Sequence, residues 1–212
     1  MLLHNNTTDY VQDVLLPKYW YNIIAFTLTG TGIFGTIENI IVVVLFCRVK
    51  SLRTSTNMFI ISVALSDLLM CALSKPFAIA SNLAGVWIFG DSGCKFYGFL
   101  VYFLGVTSMY TLCALSFDRC IVITKPFFAT NITHTVAGII IAGCWLLGMF
   151  WAILPLIGWN SYELEVPYTS CSVVWDSKEP LRFSYNITIF FTCFCIPVTV
   201  MGYSYTMIYL TN

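Results

Sequence analysis

Residues 93–123 read GCKFYGFLVYFLGVTSMYTLCALSFDRCIVI. Cys94 stands at one end of this run and Arg119 near the other, 25 positions apart. At about 1.5 Å per residue an α-helix covers that interval in roughly 37 Å. The hydrocarbon core of a bilayer is about 30 Å thick, so one tilted helix here crosses it completely. A soluble reading fails on composition. The 212 residues are 58% hydrophobic and only 9% charged, against roughly 25% charged in ordinary soluble domains, and such a chain could not cover a water-facing surface. Disorder needs the opposite balance of low hydrophobicity and high charge. Ten basic and ten acidic residues cancel with no basic stripe, so a nucleic-acid partner lacks its electrostatic footprint. What remains is an all-α, multi-pass membrane protein.

Working outward, four more stretches reach the roughly 20 apolar residues a spanning helix needs: Tyr21–Cys47, Asn57–Leu83, Thr135–Ile157 and Phe183–Leu210. With Gly93–Ile123 they make five spans in one domain, residues 21–212, behind an amino-terminal segment, residues 1–20. That segment begins polar and has no basic leader, so it does not read as a secretory signal. Basic residues set the orientation. Arg48, Lys50 and Arg53 follow the first span, and Arg119 and Lys125 close the third. Asp9, Asp13, Asp91, Glu163, Glu165, Asp176 and Glu179 gather on the other side. The amino terminus is therefore expected outside the cell, with Asn212 inside. Asn5 and Asn6 open glycosylation sequons on the outer end. Asn131 and Asn186 also match, but one falls in the cytoplasm and the other at the start of the fifth span.

Most cysteines sit in apolar runs (Cys47, Cys71, Cys113, Cys144, Cys193, Cys195) and read as small hydrophobes. Cys94 and Cys171 lie in connecting segments. Tyr162 to Val166 and Tyr168 to Trp175 alternate around Pro167 like two short strands, and a Cys94–Cys171 bridge would pull that hairpin down over the bundle. Two free thiols are the alternative; an oxidising face and similar depth favour pairing. No CxxC or His/Cys cluster suggests a metal, and His4 and His134 fall on opposite sides of the membrane.

Ionisable groups inside hydrocarbon are costly and usually functional. Glu38 and Asn39 lie in the first span, Asp67 near the middle of the second, and Asp118-Arg119 at the inner end of the third. The plainer account of Asn39 and Asp67 is a polar packing core of interhelical hydrogen bonds. For an Asp-Arg at a helix end it is an interfacial anchor, and for Lys75 it is snorkelling toward the interface.

The pattern resembles the class A, rhodopsin-like G-protein-coupled receptors. The matches run through all five spans: Asn39; Asn57 with Ala64-Leu65-Ser66-Asp67; Trp87-x-Phe89-Gly90 and Cys94; Asp118-Arg119; Trp145; and Pro197 with Tyr205. Within that class the segment from Pro155 through Gly158-Trp159 and Tyr162 to Glu165, then Thr169-Ser170-Cys171-Ser172, is similar to opsins. Phe150-Trp151-Ala152 and the Pro197 to Met201 run look most like the peropsin and retinal-photoisomerase branch. The resemblance implies a rhodopsin-like bundle with five of seven transmembrane helices present, a β-hairpin in the second extracellular loop, and a Cys94–Cys171 disulfide. The implied partners are retinal, a heterotrimeric G-protein and the lipid bilayer of a plasma or photoreceptor membrane.

Retinal in this family is a protonated imine on a lysine, and a buried cation needs a countercharge. Vertebrate visual opsins place a glutamate three residues after the cysteine of the third span. Here that residue is Tyr97, a phenol with a normal pKa near 10. The resemblance leaves Glu165, six residues before Cys171 and expected beneath the hairpin, as counterion. Gly105 would leave room for the polyene, and Tyr97, Trp159, Tyr162, Phe190, Phe191 and Phe194 are candidate pocket aromatics, with plain packing the alternative for each. Lys75 could tune retinal. Asp118 and Arg119 would form the G-protein switch that Tyr205 meets in the active state. Cys120 departs from the family's tyrosine at that position and puts coupling strength in question. The family's seventh-helix lysine is absent from the 212 residues, so the sequence reads as a fragment of a longer frame. A light-activated receptor is the leading expectation. A retinal photoisomerase and a non-opsin receptor for a diffusible ligand are the alternatives.

Overall fold

The computed structural model describes residues 16–129 and 132–211. Five long helices fill it. They are α1 (Lys18–Arg48), α2 (Ser55–Ala84), α3 (Gly90–Thr124), α4 (His134–Ile157) and α5 (Pro180–Thr211). Each matches an expected span to within three residues at either end. The asparagines Asn5, Asn6 and Asn131 lie outside the described residues.

The helix ends follow from local chemistry. Thr54 and Thr133 accept the backbone N–H of Asn57 and Val136, each at 3.3 Å, and so start α2 and α4. Pro180 opens α5, where its missing N–H costs nothing. Gly85, at φ 77°, closes α2 in the left-handed conformation that a side chain disfavours. Two helices carry a π-helical turn, Met70–Ser74 in α2 and Phe190–Cys195 in α5. Several hydroxyls inside the helices find acceptors one turn back. Thr29 donates to Ala25 and Thr36 to Gly32, at 2.8 and 2.7 Å, which satisfies those two donors against an apolar surround.

Helix α3 is the hub, packing on α2, α4 and α5, whereas α1 packs chiefly on α2. Gly148 of α4 lies directly against Thr107 and the Phe103 carbonyl of α3. Trp145 of α4 reaches across to donate to Ser62 Oγ of α2 at 2.9 Å. The outward faces are as apolar as the core: Phe26 is 82% exposed and Leu146 70%. In water such faces would aggregate; against lipid tails they carry no such penalty.

Strands β1 (Tyr162–Glu165) and β2 (Ser170–Val173) pair antiparallel between α4 and α5, with Leu164 opposite Cys171. The hairpin is where alternation placed it, but each strand is shorter than expected. The second stops at Val173, beyond which Val174 donates to the Ser161 carbonyl and Asn160 anchors the chain.

Candidate functional site

The hairpin forms a roof over one end of the bundle and is fastened to every helix. Cys171 is disulfide-bonded to Cys94 of α3. Tyr21 of α1 donates to the Pro167 carbonyl at 3.3 Å. Thr169 donates to Asn82 Oδ1 of α2 at 3.2 Å, and Trp87 N–H to the Tyr168 carbonyl at 2.8 Å. Tyr162 donates to the Ala152 carbonyl of α4 at 2.9 Å. Asn186 of α5 donates to the Val174 carbonyl at 2.8 Å and accepts from Asn160 at the same distance. Its amide is 8% exposed and fully engaged, so the sequon at Asn186 cannot take a glycan.

Beneath the roof, between α3 and α5, lies a cavity of about 430 Å³. Its walls include Gly105 and Met109 of α3 and Phe190, Cys193 and Phe194 of α5, and Trp175 overhangs it. A Cβ at Gly105 would meet nothing within 4 Å, so its place stands open at the cavity wall. Phe190 and Phe194 stack at 5.7 Å and line it. The volume lies within the roughly 300–1,000 Å³ of small-molecule sites, and the walls suit an elongated apolar ligand.

Four expected pocket residues fall elsewhere. Tyr162 is 1% exposed and packs onto Gly98, where even a Cβ would come within 2.5 Å of its ring. Burial pushes its hydroxyl above the usual range, so it stays a neutral donor. It is a structural rivet. Trp159 donates to Ser184 and packs on Tyr185, and Phe191 is exposed. Tyr97 packs against Trp87 and Phe77 rather than lining the cavity. Tyr102, Met109, Cys193 and Trp175 line the cavity without having been expected there. Behind the wall, Tyr110 accepts from Trp151 at 3.1 Å and lies 3.3 Å from Cys193 Sγ. Nothing in the linear pattern separates these aromatics from the 17% of the chain that is aromatic.

The two hairpin glutamates differ in their partners. Glu163 accepts from Arg182 at 2.9 Å. Glu165 has no ion pair among the described residues; Ser170 donates to it at 2.8 Å. It is not folded beneath the hairpin. Strand alternation places it with Glu163 on the face opposite Tyr162, Cys171 and Val173, and it is exposed there. It borders a second cleft of about 320 Å³ that shares Trp175 with the first, and it lies within electrostatic reach of Tyr97.

Of the polar groups deeper in the bundle, Asp67 makes an interhelical hydrogen bond and Asn39 is bonded within its own helix, donating to Gly35. Asp67 accepts from Ser108 of α3 at 3.2 Å, and Ser108 lies 2.6 Å from Ser66. Asn39 and Asp67 thus serve separate contacts. Lys75 Nζ donates to Thr31 of α1 at 3.1 Å, and Lys75 does not line the cavity. Asp118 and Arg119 form no pair, because consecutive residues on a helix point in different directions. Arg119 donates to Asn57 at 3.3 Å. Asp118 is 4% exposed, and neither carboxylate oxygen has a hydrogen-bond partner among the described residues. Tyr205 is 61% exposed.

Residues 38–211 match the family model described as the 7 transmembrane receptor (rhodopsin family). Among curated relatives, a melanopsin-like protein of Danio rerio is 34% identical over 98% of this chain and 42% of its own length. Human visual pigment-like receptor peropsin is 37% identical over 87% of the chain and 55% of its own. Among solved structures, squid rhodopsin matches with a TM-score of 0.85 at 34% identity, over 92% of this chain and 53% of that one. The chain spans about half the length of the curated relatives it matches. Five apolar helices, a bridged hairpin roof and these matches together make it an integral multi-pass membrane protein that belongs to the rhodopsin family of seven-transmembrane receptors, on its opsin branch.

Proposed function

We propose that this chain forms the first five helices of a light-sensing receptor, with retinal in the α3–α5 cavity, its amino terminus outside the cell and a heterotrimeric G-protein as its partner inside. The cavity carries the reading: its walls are apolar and one of them, Gly105, has no side chain. When bound, retinal supplies a polyene that light isomerises and a cationic link to a lysine of a later helix. The chain's own residues hold and shape it. Phe190 and Phe194 press on it from α5, Met109 supports it below, and Trp175 and the bridged hairpin exclude water from above. Glu165, the hairpin glutamate without an ion pair, supplies the negative charge. Asp118 and Arg119, already separated and held by burial and by Asn57, form the switch at the opposite end.

Two experiments on the full-length protein test this. Gly105→Phe fills the cavity and should cut the yield of retinal-bound pigment at least about fivefold, since overpacking costs about 1–3 kcal/mol. Normal pigment yield would place retinal elsewhere. Glu165→Gln should lower the pH midpoint of the visible absorption band by about 1–3 units, the usual effect of removing a close opposite charge from a cation. The sign follows because a nearby carboxylate favours the protonated form, and without it the proton leaves at lower pH. An unmoved midpoint rejects Glu165 but not the cavity. Light-dependent nucleotide exchange by a G-protein separates a receptor from a photoisomerase, which would instead turn over retinal isomers.

A further inference from the structure

At the end of the bundle away from the hairpin, a cleft of about 440 Å³ opens between α1, α2 and α4. Its walls are Phe46 and Cys47 of α1, Arg53 and Thr54 of the following loop, Met58 and Ile61 of α2, and His134 of α4. We propose that it binds one anionic phospholipid of the inner leaflet, phosphate at Arg53 and acyl chain along Met58 and Ile61. The leaflet assignment rests on the orientation proposed above.

Arg53 is fixed rather than free-swinging. Its Nε donates to the Phe46 carbonyl at 3.4 Å and its Nη2 to the Cys47 carbonyl. That grip on the last turn of α1 holds the guanidinium at the cleft mouth. Its Nη1 has no partner among the described residues. His134 Nε2 lies 3.0 Å from the Arg53 carbonyl, so α4 closes the cleft on the other side. Basic charge gathers here. Arg48 ends α1 and Lys50 and Arg53 follow it, no acidic residue occurs between Asn39 and Ser66, and none follows Asp118 until Glu163. Asp118 itself, on α3, is buried. A basic pocket between helices at the cytoplasmic face suits an anionic lipid head.

The walls choose a lipid over a soluble phosphate. Polar groups stand at the mouth, and Met58 and Ile61 continue into the bilayer. From Thr54 to Ile61 the helix rises roughly 10 Å, the start of an acyl-chain track. Val44 and Leu45, exposed on neighbouring α1, extend the apolar surface.

The test is lipid retention by the full-length protein in detergent, read by native mass spectrometry. The probes are phosphatidylserine, phosphatidylcholine with the same chains, and water-soluble glycerophosphoserine. Phosphatidylserine should be retained at least about fivefold over phosphatidylcholine, and Arg53→Gln should lower its retention about fivefold, the usual weight of one basic residue at a lipid surface. Met58→Trp, which fills the cleft and leaves Arg53 in place, should lower it at least as far and decides the matter if Arg53→Gln loosens α1. Equal retention of both lipids overturns the proposal. So does full retention in Met58→Trp, or displacement of phosphatidylserine by equimolar glycerophosphoserine, which would mark a site for soluble anions. The readout needs neither retinal nor light, so its failure leaves the receptor reading standing, and failure of that reading leaves this measurement intact.

Discussion

Replacing Cys94 or Cys171 by serine should destabilise the protein by about 2–4 kcal/mol and abolish pigment formation. The bridge joins residues 77 positions apart, and chain entropy for such a loop gives roughly 4.5 kcal/mol. Helices that stay inserted keep the unfolded chain from becoming a random coil, so the effect falls in the ordinary 2–4 kcal/mol range for disulfides. The functional loss exceeds the thermal one. Both cysteines are buried, and Trp87 packs on them. Without the bond the hairpin loses its one covalent hold on α3, and with it the fixed position of Trp175 over the cavity. The thermal midpoint in detergent and the visible absorption of the retinal-reconstituted protein check this. A serine variant that melts normally and still forms pigment would show that hydrogen bonds alone secure the roof.

Gly148→Leu should be nearly as damaging, costing about 3 kcal/mol or more. Even a single Cβ at Gly148 would overlap Thr107 Oγ1 and lie 3.0 Å from the Phe103 carbonyl. The threonine is fully buried and the carbonyl is backbone, so neither yields cheaply. A leucine must push α4 off α3, overpacking at the upper end of the usual cost. Small residues at helix contacts matter most in membranes, where close backbone approach replaces the hydrophobic drive for association. In a domain this size the melting midpoint should fall by about 6–12 °C. Gly148→Ala should cost about 1 kcal/mol and recover when Thr107→Ala is added, whereas Gly148→Leu should not recover, because the Phe103 carbonyl remains. A leucine variant that melts within a degree or two of the parent would refute the tight contact.

The architecture was legible because apolar length and basic flanks are properties of the chain itself. Spans, hairpin and the Cys94–Cys171 pair all emerged near their expected positions. The site was less legible, and for specific reasons. Tyr162 and Phe194 are both aromatic, yet one is clamped on Gly98 and the other opens onto the cavity; only the rotation of each element decides. Glu165 is three residues past Tyr162, which in a strand means the opposite face. Asp118 and Arg119 are neighbours in sequence and strangers in space. A resemblance carries residue identities forward, but rotation about a helix or strand axis has to be seen.

A roof fastened to α1, α2, α3, α4 and α5 at once cannot lift as a simple flap. Were the α3–α5 cavity to hold a greasy guest, as proposed, that guest would arrive sideways from the surrounding fat, between neighbouring rods. Its uptake should track how much of it dissolves in the membrane rather than how much floats in the aqueous phase, so supply and clearance become questions of partitioning.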